Sequence, residues 1–203
     1  MDNNTAPPKR LILASQSPYR RELLSRLSIP FECQSPDLDE EQIKRQLEQQ
    51  KCSLLMIAQG LARAKCQAVA KAAVDATIIG SDQLAECQGL ILGKPHNMQA
   101  AVKQLQGLQG QAHRLITAVT VHSDKGLLEF VDVTTLHMRS LDEGEITRYL
   151  ETDSPFDCAG SYKIEELGIS LFERIESQDS TAIIGLPLLE LSKHLRKLGF
   201  QIP

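Results

Sequence analysis

Two long, alternating, β-branched runs, Leu115 to His122 and Leu128 to Met138, flank the short stretch Ser123 to Gly126. Alternation with a period of two is what a half-buried strand requires, and the break between the runs predicts an antiparallel hairpin. The other elements interleave. Leu11 to Ala14 reads as a short buried strand, Phe31 to Cys33 as another, and Thr77 to Ile79 as a strand ending at Gly80-Ser81-Asp82-Gln83. Ile91 to Pro95 reads as a strand and turn, and Ile169 to Phe172 as a strand. Helices are expected from Ser17-Pro18 through Leu27, from Ser53 to Val74, from Met98 to Leu105, from Glu143 to Glu151 and from Leu188 to Leu198. Ser17 before Pro18 is a helix-start signal, with a capping hydroxyl and then a residue that needs no N–H partner. This pattern predicts an α/β chain with a mixed, partly antiparallel sheet and flanking helices. The hairpin argues against a purely doubly wound parallel fold.

The chain has 203 residues, 42% of them hydrophobic, enough for one globular domain with a substantial core. We expect that domain over residues 11–203, after a polar tail at 1–10 with a Pro-Pro pair. A net charge of −4 argues against non-specific nucleic-acid binding, which needs a basic footprint. No apolar run approaches the roughly 20 residues that cross a bilayer, and the first residues lack the apolar centre of a signal peptide. The expectation is a cytoplasmic protein with no membrane partner. Cys33, Cys52, Cys66, Cys87 and Cys158 form no CxxC pair and are odd in number, so they read as reduced thiols used as small apolar residues.

Four segments carry the candidate chemistry. In Ser15-Gln16-Ser17-Pro18-Tyr19-Arg20-Arg21, hydroxyls precede a helix N-terminus and two arginines stand in its first turn. Cations are unfavourable at that end of the dipole, so Arg20 and Arg21 read either as solvated surface residues or as parts of an anion site suited to phosphate. Asp82 reads as a carboxylate at the rim of the sheet or as a turn aspartate; with Glu40, in the acidic loop Pro36 to Glu40, it could hold Mg²⁺. Lys65 falls on the apolar stripe Leu54, Ala58, Leu61 and Ala68, and Lys94 stands in the turn Gly93-Lys94-Pro95. Each is a point charge for phosphate or a snorkelling or surface lysine. Cys158 to Glu165 contains small residues that allow close backbone approach, or simply a tight loop. His113 reads as a structural histidine. A Ser17-His113-Asp82 triad is rejected because no nucleophile-elbow motif accompanies it.

Taken in order and spacing, Leu11-Ile12-Leu13-Ala14-Ser15, Ser17-Pro18, Arg20-Arg21, Asp37-Leu38-Asp39-Glu40, Ser81-Asp82-Gln83 and Gly93-Lys94-Pro95 resemble the Maf family of nucleotide pyrophosphatases. The resemblance runs over about residues 11–200. Cys158 to Gly168 and Ser170 to Arg174 are similar to its 7-methyl-GTP pyrophosphatase subfamily. Family members that cleave dTTP and UTP usually carry Arg, Thr and Gln where this chain has Tyr19, Gln83 and Glu165. The 7-methyl-GTP subfamily often has Trp at the position of Tyr19.

The resemblance implies a Maf/ITPase-like fold of two lobes around a deep cleft. It implies a divalent metal, Mg²⁺ or Mn²⁺, for which Glu40 and Asp82 are the candidate ligands read above, and hydrolysis between the α and β phosphates. Asp82 matches the proton acceptor, and Tyr19, Gln83 and Glu165 match the positions tied to base selectivity. Ser15, Arg20, Arg21, Lys65 and Lys94 are then the phosphate-binding set, the partner is a small-molecule nucleotide, and a homodimer is expected. The alternatives are dTTP/UTP pyrophosphatase activity and a non-enzymatic regulator of septum formation.

A methylated guanine would suit two of these positions, Tyr19 and Glu165. Methylation at N7 makes the ring cationic, and a cation is drawn to an aromatic face such as Tyr19 but repelled by arginine. Ionised Glu165 only accepts hydrogen bonds, matching guanine's N1–H and 2-amino donors and repelling the carbonyls of thymine or uracil.

Overall fold

The structure is a computed structural model that describes residues 9–73 and 75–203. In chain order it comprises β1 (Arg10–Ala14), α1 (Pro18–Ser25), β2 (Glu32–Cys33), α2 (Glu40–Gln49), α3 (Leu54–Ala70), β3 (Ala76–Cys87), β4 (Leu90–Leu92), α4 (Met98–Leu108), β5 (Ala112–Ser123), β6 (Gly126–Met138) and α5 (Glu143–Asp153). A 3-10 turn (Leu167–Leu171), β7 (Phe172–Glu176), α6 (Ser180–Ile184) and α7 (Leu188–Lys197) complete it. One sheet runs in the order β2-β1-β3-β5-β6-β7, with β4 paired to β3. β1 is parallel to β2 and β3, whereas β3/β4 and β6/β7 are antiparallel. The sheet is therefore mixed, as the interleaved pattern predicts. The expected hairpin is β5–β6, closed by a turn at residues 124–125.

The chain divides into two compact units. The first comprises the described residues up to Asp82 with 118–131 and 185–203; the second comprises 83–117 and 132–184. Within the first, β1 and β3 pair in register from Arg10↔Ala76 to Ala14↔Gly80. Ile12, Ile78, Cys66 and Val69 form a core where α3 covers these strands. Gly80 is what lets α3 sit so close: a Cβ there would lie 2.3 Å from Ala62 O and 2.7 Å from Cys66 N. In the second unit, Leu105 and Leu108 of α4, Ile146 and Leu150 of α5, and Leu136 of β6 belong to one core with Tyr162 and Leu171. All five cysteines are free thiols, but only Cys66 and Cys87 are buried as small apolar residues; Cys52 and Cys158 are half-buried and Cys33 is exposed.

Several local expectations change. The strand at Thr77–Ile79 does not end at Gly80-Ser81-Asp82-Gln83 but continues to Cys87, because β1 pairs with its first half and β4 with its last residues. Asp82 thus lies inside a strand, not at its end. Glu40 is not in a loop: it opens α2, whose N-cap Asp39 accepts a hydrogen bond from Gln42 N at 2.8 Å. Ile169 lies in the 3-10 turn, and β7 starts only at Phe172. α1 stops at Ser25, short of Leu27. α3 starts after its N-cap Ser53 and ends at Ala70; Val74, its expected last residue, and the tail residues 1–8 lie outside the described residues. Arg10 already belongs to β1, where its guanidinium makes a two-pronged ion pair with Glu32. Among the described residues, no helix is long and apolar enough to cross a membrane.

Candidate active site

The first unit gathers most of the charged candidates. Lys65 projects from α3 and is buried, at 6% exposure. Its Nζ lies 2.7 Å from Asp82 Oδ1 on β3 and 2.8 Å from Glu40 Oε2 at the start of α2. Asp82 is equally buried at 6%, while the Glu40 side chain is about half exposed. An unpaired ammonium at that depth would be costly, so the two carboxylates are what make the position of Lys65 tolerable. Arg20, half-buried on α1, donates from Nε to Gly185 O at 2.9 Å. Burial pulls its pKa below the ordinary arginine value, and the negative charges of Asp82 and Glu40 act in the opposite direction. Arg20, Lys65, Glu40 and Asp82 are two cations and two anions in mutual electrostatic reach.

The start of α1 is built as the sequence suggests. Ser17 is the N-cap, its Oγ 3.4 Å from the Arg20 N–H it accepts from, and Pro18 opens the helix. Buried Ser15 accepts from Ser17 N at 3.1 Å, so both hydroxyls organise the turn between β1 and α1. Tyr19 is half-buried in the first turn, and Arg21 is exposed. Two contributors were missed from sequence. Ser81 is fully buried and donates to Gly185 O at 3.0 Å, and Gly185 (φ +122) thereby accepts from both Ser81 and Arg20. The only available signal for Gly185 was a glycine next to a Leu-Pro step before α7, which marks a turn but names no partner.

The second unit holds Gln83, Lys94 and Glu165. Gln83 is half-buried on β3, whereas Lys94 and Glu165 are exposed and do not hydrogen-bond each other. The loop with Glu165 is tightly built. A Cβ at Gly168 would meet Lys163 O at 2.2 Å, and one at Gly160 would meet the Tyr162 ring at 2.7 Å. Lys163 N donates to Tyr149 Oη at 3.0 Å, and Ser161 Oγ to Gln104 Oε1 at 2.5 Å. The small residues of this segment thus serve a close-packed loop that carries Glu165 at its surface. His113 is structural: it is 2% exposed, its Nε2 is 2.9 Å from Tyr162 Oη, and burial lowers its pKa to about 4.

Among the described residues, no group of three or more His, Cys, Asp or Glu side chains forms a cage that could hold a metal ion. Two carboxylates that reach a single point are nevertheless what a hard divalent ion uses when waters and substrate phosphates complete its shell. The donor set of Glu40 and Asp82 fits that kind of site and does not fit a soft-metal one.

A solved structure, the Ham1 protein of Staphylococcus aureus, superposes with a TM-score of 0.52 at 14% identity, covering 94% of this chain and all of that one. At that identity the likeness concerns the fold alone. Among curated relatives, a 7-methyl-GTP pyrophosphatase of Bdellovibrio bacteriovorus is 47% identical over 93% of this chain and 97% of its own length. Proteins of the same name from Xanthomonas oryzae and Pseudomonas aeruginosa are 44% and 42% identical, over 96% and 95% of this chain and 99% and 98% of their own. The family model described as Maf-like protein matches residues 10–198, and the chain therefore belongs to the Maf family.

Proposed function

We propose that this protein hydrolyses 7-methyl-GTP between the α and β phosphates, releasing 7-methyl-GMP and pyrophosphate, with Mg²⁺ or Mn²⁺ as cofactor. The observation that carries the reading is the buried Lys65 ammonium shared by Asp82 and Glu40, with Arg20 beside them, in a chain 47% identical to a protein named for this activity.

Charge supports a metal. The two cations and two carboxylates of this group cancel, so on their own they offer a triphosphate no net positive field. Glu40 and Asp82 would hold the divalent ion; when bound, it supplies the charge that offsets the phosphates and the leaving pyrophosphate. Asp82 Oδ1 is held by Lys65, which leaves the carboxylate's other oxygen for one of two tasks, holding the ion or orienting the attacking water and taking its proton. Lys65 and Arg20 hold phosphate oxygens as charge builds up on them, and Arg21 and Lys94, both exposed, add charge to the departing pyrophosphate. Ser15 and Ser17 keep the α1 start in shape, with its N–H groups available to an anion.

Selectivity rests on Tyr19, Gln83 and Glu165. A cationic methylated ring is drawn to an aromatic face such as Tyr19, guanine's N1–H and 2-amino donors suit the acceptor Glu165, and Gln83 is the third of these selectivity positions. This reading places the protein with the nucleotide pool of the cytoplasm. The test is pyrophosphate release with Mg²⁺ or Mn²⁺ across 7-methyl-GTP, GTP, dTTP, UTP and CTP. Preference for 7-methyl-GTP is expected. Preference for dTTP or UTP would overturn the roles of Tyr19 and Glu165, and no turnover of any nucleotide would overturn the enzymatic reading.

A further inference from the structure

The Gln83 amide is held by more oxygen atoms than its nitrogen has hydrogens. Nε2 lies 2.9 Å from Thr117 Oγ1, 2.9 Å from Ala182 O and 3.0 Å from Ile183 O. Thr117 is fully buried on β5, and its own hydroxyl donates to Ala182 O at 2.9 Å. That hydroxyl hydrogen is spent, so Thr117 faces Gln83 as an acceptor. Ala182 and Ile183 belong to the five-residue α6, whose last carbonyls have no partner within the helix and are free to accept.

This arrangement fixes the amide in one orientation. Turned over, Oε1 would face two backbone carbonyls, which can donate nothing, and a hydroxyl whose hydrogen points elsewhere. Both N–H bonds of Gln83 are therefore consumed inside the unit. What the side chain has left for a ligand is a carbonyl oxygen, an acceptor only.

We propose that Thr117, with the Ala182 and Ile183 carbonyls, is a positioning residue that locks Gln83 as a hydrogen-bond acceptor and so selects a base that presents donors. The inference rests on the proposed nucleotide specificity and gives Gln83 a sign within it. A freely turning glutamine suits either kind of base, because it can offer its NH₂ to a pyrimidine carbonyl. A locked one welcomes guanine's N–H groups and opposes the carbonyls of uracil and thymine.

The test is a double-mutant cycle on steady-state kinetics, using Thr117→Val, Gln83→Met and their combination, with Thr117→Ser as the conservative variant. Thr117→Val removes one of three anchors, so KM for 7-methyl-GTP should rise about fivefold, with kcat unchanged within about twofold. KM for UTP should not rise, and Thr117→Ser should restore the wild-type value. In the Gln83→Met background, Thr117→Val should have no further effect on KM. Equal effects of Thr117→Val in both backgrounds, or equal effects on both nucleotides, would overturn the proposal and leave Thr117 a packing residue. A wild-type enzyme with no preference for 7-methyl-GTP over UTP would overturn the specificity reading, and this proposal with it. Melting temperatures of all variants separate folding losses from binding losses.

Discussion

Lys65 Nζ and Asp82 Oδ1 lie 2.7 Å apart, and both residues are buried at 6% exposure. Asp82 sits in the interior of β3, and Lys65 comes from the helix packed over it. Glu40 meets the same ammonium from the first residue of α2. Three consecutive elements, α2, α3 and β3, thus converge on one nitrogen.

Removing that nitrogen leaves Asp82 buried without its partner. Lys65→Met should cost about 3–5 kcal/mol of stability, the usual cost of breaking one side of a buried pair. It should also lower kcat by at least about a hundredfold, because phosphate charge loses a direct neighbour. Urea denaturation and steady-state kinetics on the same preparation check both. A fully active, equally stable variant would remove Lys65 from the site.

Gly80→Ala tests how that pair is delivered. The new methyl group would meet Ala62 O at 2.3 Å and Cys66 N at 2.7 Å, backbone atoms that cannot swing away. Overpacking of this kind costs about 1–3 kcal/mol or more. The helix that carries Lys65 must shift, so kcat should fall together with the urea midpoint. A variant that loses stability but keeps full kcat would show that the helix position is not what sets the Lys65–Asp82 contact.

His113 makes stability depend on pH. Burial holds its folded pKa at about 4, below the ordinary 6.5, and its Nδ1 is buried with no partner to receive a second N–H. The unfolded chain therefore takes up the proton first. The contribution of neutral His113 is complete above about pH 6.5 and is lost as pH falls towards 4, on the order of 3 kcal/mol in total. Urea midpoints measured from pH 7 to pH 4 should fall less steeply in His113→Gln than in the wild type. Identical slopes would mean that His113 is not the group responsible.

Much of this was legible in the sequence where local chemistry decides the outcome. Ser17-Pro18 announced α1, the apolar stripe announced α3 with Lys65 on its inner face, and the alternating runs announced the β5–β6 hairpin. α2 escaped because its apolar stripe is only Ile43 and Leu47 among polar residues; its other trace was the cap Asp39 three residues before Gln42. Asp82 was placed at a strand end because Gly80 and Ser81 look like turn residues, whereas Gly80 is there for α3 and Ser81 for Gly185. The bonds from Gln83 to Thr117 and α6 span 34 to 100 residues, and no local pattern encodes them.

Glu165→Gln exchanges an acceptor-only group for one that can also donate, and removes the charge that opposes pyrimidine carbonyls. The ratio of kcat/KM for 7-methyl-GTP over UTP should fall about tenfold, equivalent to roughly 1.4 kcal/mol of discrimination. An unchanged ratio would take base recognition away from Glu165. Because the side chain is exposed, the substitution should leave the melting temperature as it is.

Identifying the products of 7-methyl-GTP turnover by ³¹P NMR in ¹⁸O-labelled water, for the wild type beside Asp82→Asn, tests the account most directly. The wild type should yield 7-methyl-GMP carrying the label, with unlabelled pyrophosphate in equal amount, and Asp82→Asn should yield neither. Orthophosphate with 7-methyl-GDP, or undiminished turnover by Asp82→Asn, would contradict it.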